Sequence, residues 1–159
     1  MIIDFLLGRK KGGILNLLKG VKNSLINVDI QYTEPEEVDW KSIIHKISTE
    51  AYTPIGNGMY ARVIKNPEDI KYDEEKRYKS DLKKANYDRD IVIITLFSKG
   101  ASFPSHYHDT TEKIKCLEGS FIGLENKVYL PGEVQVVPPN VPHVFKGVTE
   151  GVCLVTIKK

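Results

Sequence analysis

The stretch GASFPSHYHDTTEKIKCLEG, residues 100–119, contains two of the chain's four histidines, His106 and His108, with one residue between them. Side chains of a β-strand point alternately to its two faces, so these two imidazoles lie on the same face. The turn residues that follow can bring Glu112 back beside the pair. Two neutral imidazoles and a carboxylate suit one divalent transition metal ion, with iron, manganese, nickel, cobalt, zinc and copper as candidates.

A fourth candidate ligand, His143, lies near the C-terminus. It follows Pro138, Pro139 and Pro142, whose fixed φ angles make the preceding turn stiff. Three of the four histidines therefore belong to one predicted metal site. His45 lies in a predicted helix with no companion ligand nearby, and we interpret it as a surface or capping histidine.

The residues around these histidines have the pattern of a β domain. After residue 90 the chain consists of short apolar segments separated by turn residues, the first of which is Gly100, and residues 59–64 form one more predicted strand. Many short, closely spaced strands indicate an antiparallel barrel or sandwich.

The spacing in residues 100–119 resembles the first motif of the cupin superfamily. That motif consists of Gly100, five residues, His106, one residue, His108, three residues, Glu112, six residues and Gly119, and each of its positions is filled.

The segment that starts at Gly132 resembles the second cupin motif, with Pro138 and His143 in place. Asn140 stands where the family usually has glycine, and asparagine is a common replacement where the backbone is left-handed. Gly147 stands where the family often has asparagine. The resemblance covers residues 90–159.

This resemblance implies a mainly β protein with a double-stranded β-helix, the cupin jelly-roll barrel, in residues 51–159. It also implies that His106, His108, Glu112 and His143 bind one divalent transition metal ion, with iron preferred. By strand parity, Ile114 and Phe145 line the same interior and form the candidate substrate pocket. For Phe145, contact with substrate and simple filling of the barrel are equally consistent with the pattern. Cys116 has the same parity but lies about 13 Å along the strand from Glu112, so we interpret it as a core thiol.

Residues 1–50 are predicted to form a largely helical extension. In residues 1–26 apolar side chains recur at helical spacing, and five basic residues against one acid give a net charge of +4. We expect this segment to pack on the protein itself or on a second subunit, with a membrane surface as the alternative. Residues 66–90 are rich in both charges, which predicts a solvated helix and loop, or alternatively a lid.

Composition excludes several classes of partner. The formal charge of +2 is too small to indicate nucleic-acid binding, and no apolar run reaches the ~20 residues of a membrane span. Two cysteines are too few for a disulfide framework, and the first residues lack the features of a secretory signal. We therefore expect a cytoplasmic protein. Exposed strand edges must be covered, which favours a homodimer.

The predicted function is a small mononuclear metal enzyme of the Fe-dependent dioxygenase type, acting on a small organic molecule. Four protein ligands leave positions on the ion for oxygen and substrate. A metal-dependent isomerase or lyase is one alternative. Another is a non-catalytic metal or ligand sensor that uses the basic N-terminal segment to bind a partner. A third is a barrel whose ion only stabilises the fold, which predicts no cavity beside the ion.

Overall fold

The computed structural model describes residues 51–159 and the backbone of one short strand before them, β1 (Ile26–Val28). The other strands are β2 (Thr53–Ile55), β3 (Asn57–Ile64), β4 (Asp90–His108), β5 (Glu112–Glu118), β6 (Phe121–Ile122), β7 (Val128–Tyr129), β8 (Val134–Val137), β9 (His143–Gly147) and β10 (Gly151–Lys158). The helices are α1 (Asp73–Lys76) and α2 (Lys79–Lys84), with 3₁₀ turns at Pro67–Asp69 and Leu124–Asn126. Within residues 51–159, none of the helices has the length and apolar character that crossing a membrane requires.

The predicted mainly β architecture is confirmed. Antiparallel strands follow the order β7-β6-β9-β4-β10-β5-β8, with β1 and β3 also paired to β4, and the sheet curls into a nearly closed barrel. The rest of the predicted helical extension, including His45, lies outside the described residues. Ile26, which the helical spacing includes, is instead the first residue of β1.

Strand β4 connects the two parts of the barrel. Its 19 residues form one continuous strand, whereas the sequence predicts a break at Gly100. The first part of β4 pairs with β3 and β10, and its last part pairs with β9 and β1. Gly100 has a φ angle of 78°, and this residue lies where β4 changes partners. The strand that carries His106 and His108 is therefore held on both sides.

The first part of β4 is buried on both faces, which explains its continuous apolar run. Ile91 and Ile93 belong to the core inside the barrel, whereas Val92 and Ile94 belong to a second cluster on the outer face. The helical segment covers this outer face, with Leu82 as its fully buried contribution. Such two-sided burial gives an apolar run in place of an alternating pattern. The tyrosines of residues 66–90 pack in the outer cluster, and none of them lines the interior cavity described below.

A buried ion pair holds the helical segment on the barrel. Glu75 of α1 is fully buried, and both of its carboxylate oxygens accept hydrogen bonds from the Arg62 guanidinium of β3, one of them at 3.0 Å. The Tyr52 hydroxyl and the backbone N–H of Lys71 also donate to this carboxylate, at 3.2 and 2.9 Å. Arg62 further contacts Asp69 at 3.3 Å. The charge of Glu75 is therefore fully compensated inside the outer cluster.

The glycine at the end of β5 is expected to be far less replaceable than the glycine within β4, although both have a left-handed φ angle. A Cβ atom on Gly119 would lie 2.2 Å from the carbonyl oxygen of Glu150, whereas one on Gly100 would meet nothing within 4 Å. We expect Gly100→Ala to cost about 1 kcal/mol of backbone strain, and Gly119→Ala about 3 kcal/mol because overpacking adds to the strain. Urea unfolding of the two variants at equal metal loading measures the difference. An equal loss of unfolding free energy in the two variants would contradict a steric role of Gly119.

Candidate metal centre

The structure brings together the four predicted ligands, His106, His108, Glu112 and His143. All four side chains are buried, and one candidate ligand atom from each lies within 4.8 Å of the others. The three imidazole rings are in mutual contact, with centroids 4.1 to 5.4 Å apart. They form one compact group inside the barrel.

Three strand ends converge to build this group. His106 and His108 lie at the end of β4, Glu112 is the first residue of β5, and His143 is the first residue of β9. His106 pairs directly with His143 across the β4–β9 ladder. Asn140 has a φ angle of 62°, which confirms its predicted left-handed conformation, and its N–H donates to the His108 carbonyl. The proline-rich turn is thereby attached to β4, which positions His143.

Backbone carbonyls orient two of the imidazoles. Nδ1 of His106 lies 2.8 Å from the Pro104 carbonyl oxygen, and Nδ1 of His143 lies 3.0 Å from the Val141 carbonyl oxygen. Each Nδ1–H donates to its carbonyl, which leaves the Nε2 lone pair free to bind an ion.

Unsatisfied buried nitrogen atoms show that the group fits a cation. Both ring nitrogens of His108 and Nε2 of His143 are buried without a hydrogen-bond partner. The Nε2 atoms of these two rings face the Glu112 carboxylate, and that of His143 lies 3.3 Å from Oε1. Buried polar atoms are normally satisfied, and a divalent ion bound by imidazole nitrogens and a carboxylate oxygen would satisfy the two Nε2 atoms. The residues present therefore fit a transition metal ion.

The protonation states are compatible with metal binding. Burial, reinforced by the neighbouring His143, lowers the pKa of His106 to about 3, so this ring is neutral. Burial alone raises the pKa of Glu112, but the facing imidazoles of His108 and His143 outweigh it and hold that pKa below its ordinary value. Burial lowers the pKa of His143, yet the Glu112 carboxylate outweighs it and raises the net value. Metal binding therefore competes with protonation of His143, because only neutral imidazole ligates.

A cavity of about 50 Å³ lies beside the group, inside the barrel. Ile114 and Phe145 both line it, as strand parity predicts. Phe145 is held by stacking on Phe121 at 4.7 Å and by an edge contact with Phe97 at 5.0 Å. One part of the ring therefore packs in the core and another part faces the cavity, so contact with substrate stays a prediction.

Sequence reasoning missed two polar side chains of the cavity wall, Thr95 of β4 and Cys153 of β10. They are direct neighbours across the β4–β10 ladder, and Cys116 of β5 is the next neighbour of Cys153. Cys116 is fully buried in the interior core, as predicted, and burial raises the pKa of its thiol to about 11. Both cysteines are free and protonated at neutral pH. No local signal could reveal this row, because it depends on how three distant strands align.

Comparison with solved structures identifies the fold. An RmlC-like cupin from Shewanella frigidimarina superposes with a TM-score of 0.50 at 20% identity, covering 79% of this chain and 94% of that one. An acetylacetone dioxygenase from Acinetobacter johnsonii also superposes with a TM-score of 0.50, at 13% identity, covering 82% of this chain and 78% of that one. Neither protein-family models nor curated protein sequences give a significant match.

At these identities the superpositions establish the fold alone. The evidence for a metal site comes from the residues inside the barrel. The resemblance that the two sequence motifs indicate is confirmed by the barrel and by the buried group of three histidines and one glutamate. The chain therefore has the fold of the RmlC-like cupins.

Proposed function

We propose that this protein is a small mononuclear metal enzyme of the Fe-dependent dioxygenase type. In this proposal His106, His108, Glu112 and His143 bind one divalent transition metal ion, with iron preferred, and a small organic substrate occupies the adjacent cavity. The observation that carries the proposal is the position of the buried group, which forms part of the wall of an apolar cavity.

Each part of the wall has a function in this proposal. When bound, an iron ion with coordination positions left open supplies a binding place for oxygen and for the substrate. Phe145 and Ile114 exclude water from the reacting atoms and orient the apolar part of the substrate. The carbonyls of Pro104 and Val141 hold two imidazoles in one tautomer, which keeps the ligand geometry fixed during turnover.

The cavity favours an enzyme over a barrel that its metal only stabilises. A purely structural ion is surrounded by protein groups, with no space beside it. Here about 50 Å³ of space adjoins three of the four candidate ligands, His106, Glu112 and His143. An acetylacetone dioxygenase also has a fold of this type, so a barrel of this kind is compatible with oxygen chemistry.

Oxygen consumption tests the proposal. We expect protein loaded anaerobically with Fe(II) to consume oxygen when a small thiol, diketone or phenol is added, and His143→Ala loaded in the same way to show less than about 1% of that rate. A control is Glu118→Gln, which changes an exposed carboxylate outside the cavity wall and leaves the ligands intact. If the protein binds iron but consumes oxygen with none of these compounds, the proposed dioxygenase activity is contradicted. Preferential binding of zinc, nickel or manganese would favour a metal-dependent isomerase or lyase.

A homodimer in the cytoplasm remains part of the proposal. Strand β8 lies at one end of the sheet and exposes Val134 and Val136 to solvent, at 44% and 50% exposure. An apolar edge strand is normally covered by another part of the protein or by a partner. Light scattering on the purified protein gives the mass of the particle, and the mass of a single chain, 18.0 kDa, would contradict a dimer.

A further inference from the structure

The size of the cavity limits the substrate to a compact molecule. Its volume is about 50 Å³, whereas cavities that hold drug-sized ligands measure roughly 300 to 1,000 Å³. A water molecule needs about 10 to 15 Å³ of such space, so this cavity holds about four groups of that size. A sugar, a nucleotide or a fused aromatic ring system is larger than this cavity.

The described part of the cavity wall also offers no compensation for a charged group away from the metal. Among the described residues the wall contains no lysine or arginine, and its polar side chains other than the candidate ligands are Thr95 and Cys153, both neutral. The remainder is aliphatic or aromatic, with Met59, Ile93, Phe103 and Phe145 as examples. A carboxylate or phosphate at that position would lose its hydration and gain no compensating cation from residues 51–159.

The charge balance of the site permits one additional negative charge. A divalent ion contributes +2, Glu112 contributes −1, and the three imidazoles are neutral when they ligate. The net charge of +1 is buried in an apolar barrel. A substrate that binds as a monoanion through two oxygens makes the site neutral, whereas a dianion leaves an uncompensated negative charge there.

From these three features we infer that the substrate is a small oxygen chelator that binds as a monoanion through two neighbouring oxygens and carries a short apolar tail. Enolisable dicarbonyls and α-hydroxyketones have this chemistry. Amino acids, dicarboxylates and phosphate esters do not, because each carries an additional charged group. This inference rests on the proposed metal site and adds the substrate class to it.

Ligand binding to cobalt-loaded protein tests the substrate class without turnover. Co(II) is loaded under anaerobic conditions, and its visible absorption bands are followed while acetohydroxamate, benzohydroxamate or malonate is added. Acetohydroxamate is small and binds as a monoanion through two oxygens. Benzohydroxamate has the same chelating group with a larger tail, and malonate is a dianion of similar size. Each affinity is divided by the affinity of the same ligand for aqueous Co(II), which removes the intrinsic preference of the ion.

We expect acetohydroxamate to bind at least tenfold better on this scale than either of the other two ligands. Ile114→Ala enlarges the cavity and should raise the affinity for benzohydroxamate at least tenfold, with little change in the affinity for acetohydroxamate. Phe145→Ala on β9 provides the same test if the first variant folds poorly. Malonate or benzohydroxamate binding as well as acetohydroxamate to the unmodified protein would overturn the substrate class while leaving the metal site intact. Protein that shows no cobalt bands at all would overturn both the substrate class and the metal site on which it rests.

Discussion

His106→Ala will reduce the metal affinity of this protein by at least about 100-fold, since loss of a group that merely orients a ligand already costs 10- to 100-fold. The ring of His106 contacts both other imidazoles of the group and lies directly across from His143 in the ladder. Alanine removes one ligand and leaves Glu112 and the other histidines in place. Mass spectrometry of anaerobically prepared protein measures the metal bound per chain.

Two controls make this result specific. His45→Ala removes the fourth histidine of the chain, which belongs to neither motif, and should leave the metal content unchanged. Thermal unfolding of His106→Ala in the presence of a chelator, compared with wild type under the same conditions, separates loss of the ligand from loss of the fold. Metal retained by His106→Ala at the wild-type level would contradict the site. Wild-type protein that binds no metal even after reconstitution would contradict the proposed enzyme as well.

Glu75→Gln is expected to destabilise the protein by about 3 to 5 kcal/mol, the usual cost when one partner of a buried ion pair is removed. The Arg62 side chain is only 13% exposed and has its main contact with this carboxylate. Glutamine keeps the shape of the side chain but leaves the guanidinium without its compensating charge. Asp69 at 3.3 Å provides only partial compensation. Urea unfolding measures the loss of free energy.

Glu118→Gln is the matched control, because Glu118 forms an exposed ion pair with Arg77 at 3.4 Å, with 49% and 66% of the two side chains exposed. Exposed pairs contribute at most about 1 kcal/mol, so this variant should change the free energy of unfolding by less than that. If both variants lose the same stability, burial of the Glu75 pair is not what stabilises the helical segment.

The same pair predicts how stability depends on acid. Burial alone raises the pKa of Glu75, but hydrogen bonds from Arg62 and from the backbone of Lys71 and Tyr72 lower it below its ordinary value of 4.5. A lowered folded-state pKa contributes stability that is complete above pH 4.5 and is lost as pH falls through the folded-state value. Glu75→Gln should therefore show a weaker loss of stability below pH 4.5 than wild type. Parallel pH profiles of the two proteins would contradict the linkage.

Local spacing determined which side chains share a face, because it depends on backbone geometry alone. The i, i+2 spacing of His106 and His108 puts both on one face in any β-strand. The parity of Ile114 and Phe145 identified two residues of the cavity wall for the same reason. Asn140 showed where the chain needs a left-handed residue, and its φ angle is 62°.

Pairing between distant strands decided what the sequence alone left open. In VQVV of β8 the composition favours valines inside, yet Gln135 is 1% exposed whereas Val134 and Val136 face solvent. The ladder explains this orientation. Val137 pairs with the inward-facing Glu112, so every second residue of β8 counted from Val137 also faces inward. A shift of one residue would reverse the strand, and no local pattern specifies that register.

The chain by itself therefore indicated most of the strands and the residues that share a face, since these follow from short-range backbone periodicity. Only the tertiary structure decided the size of the cavity, the neutral row of Thr95 and Cys153 in its wall, and the burial of Glu75 against Arg62. Each of these depends on contacts between segments far apart in sequence. Such contacts are set by packing of the whole barrel, and no single stretch of sequence specifies them.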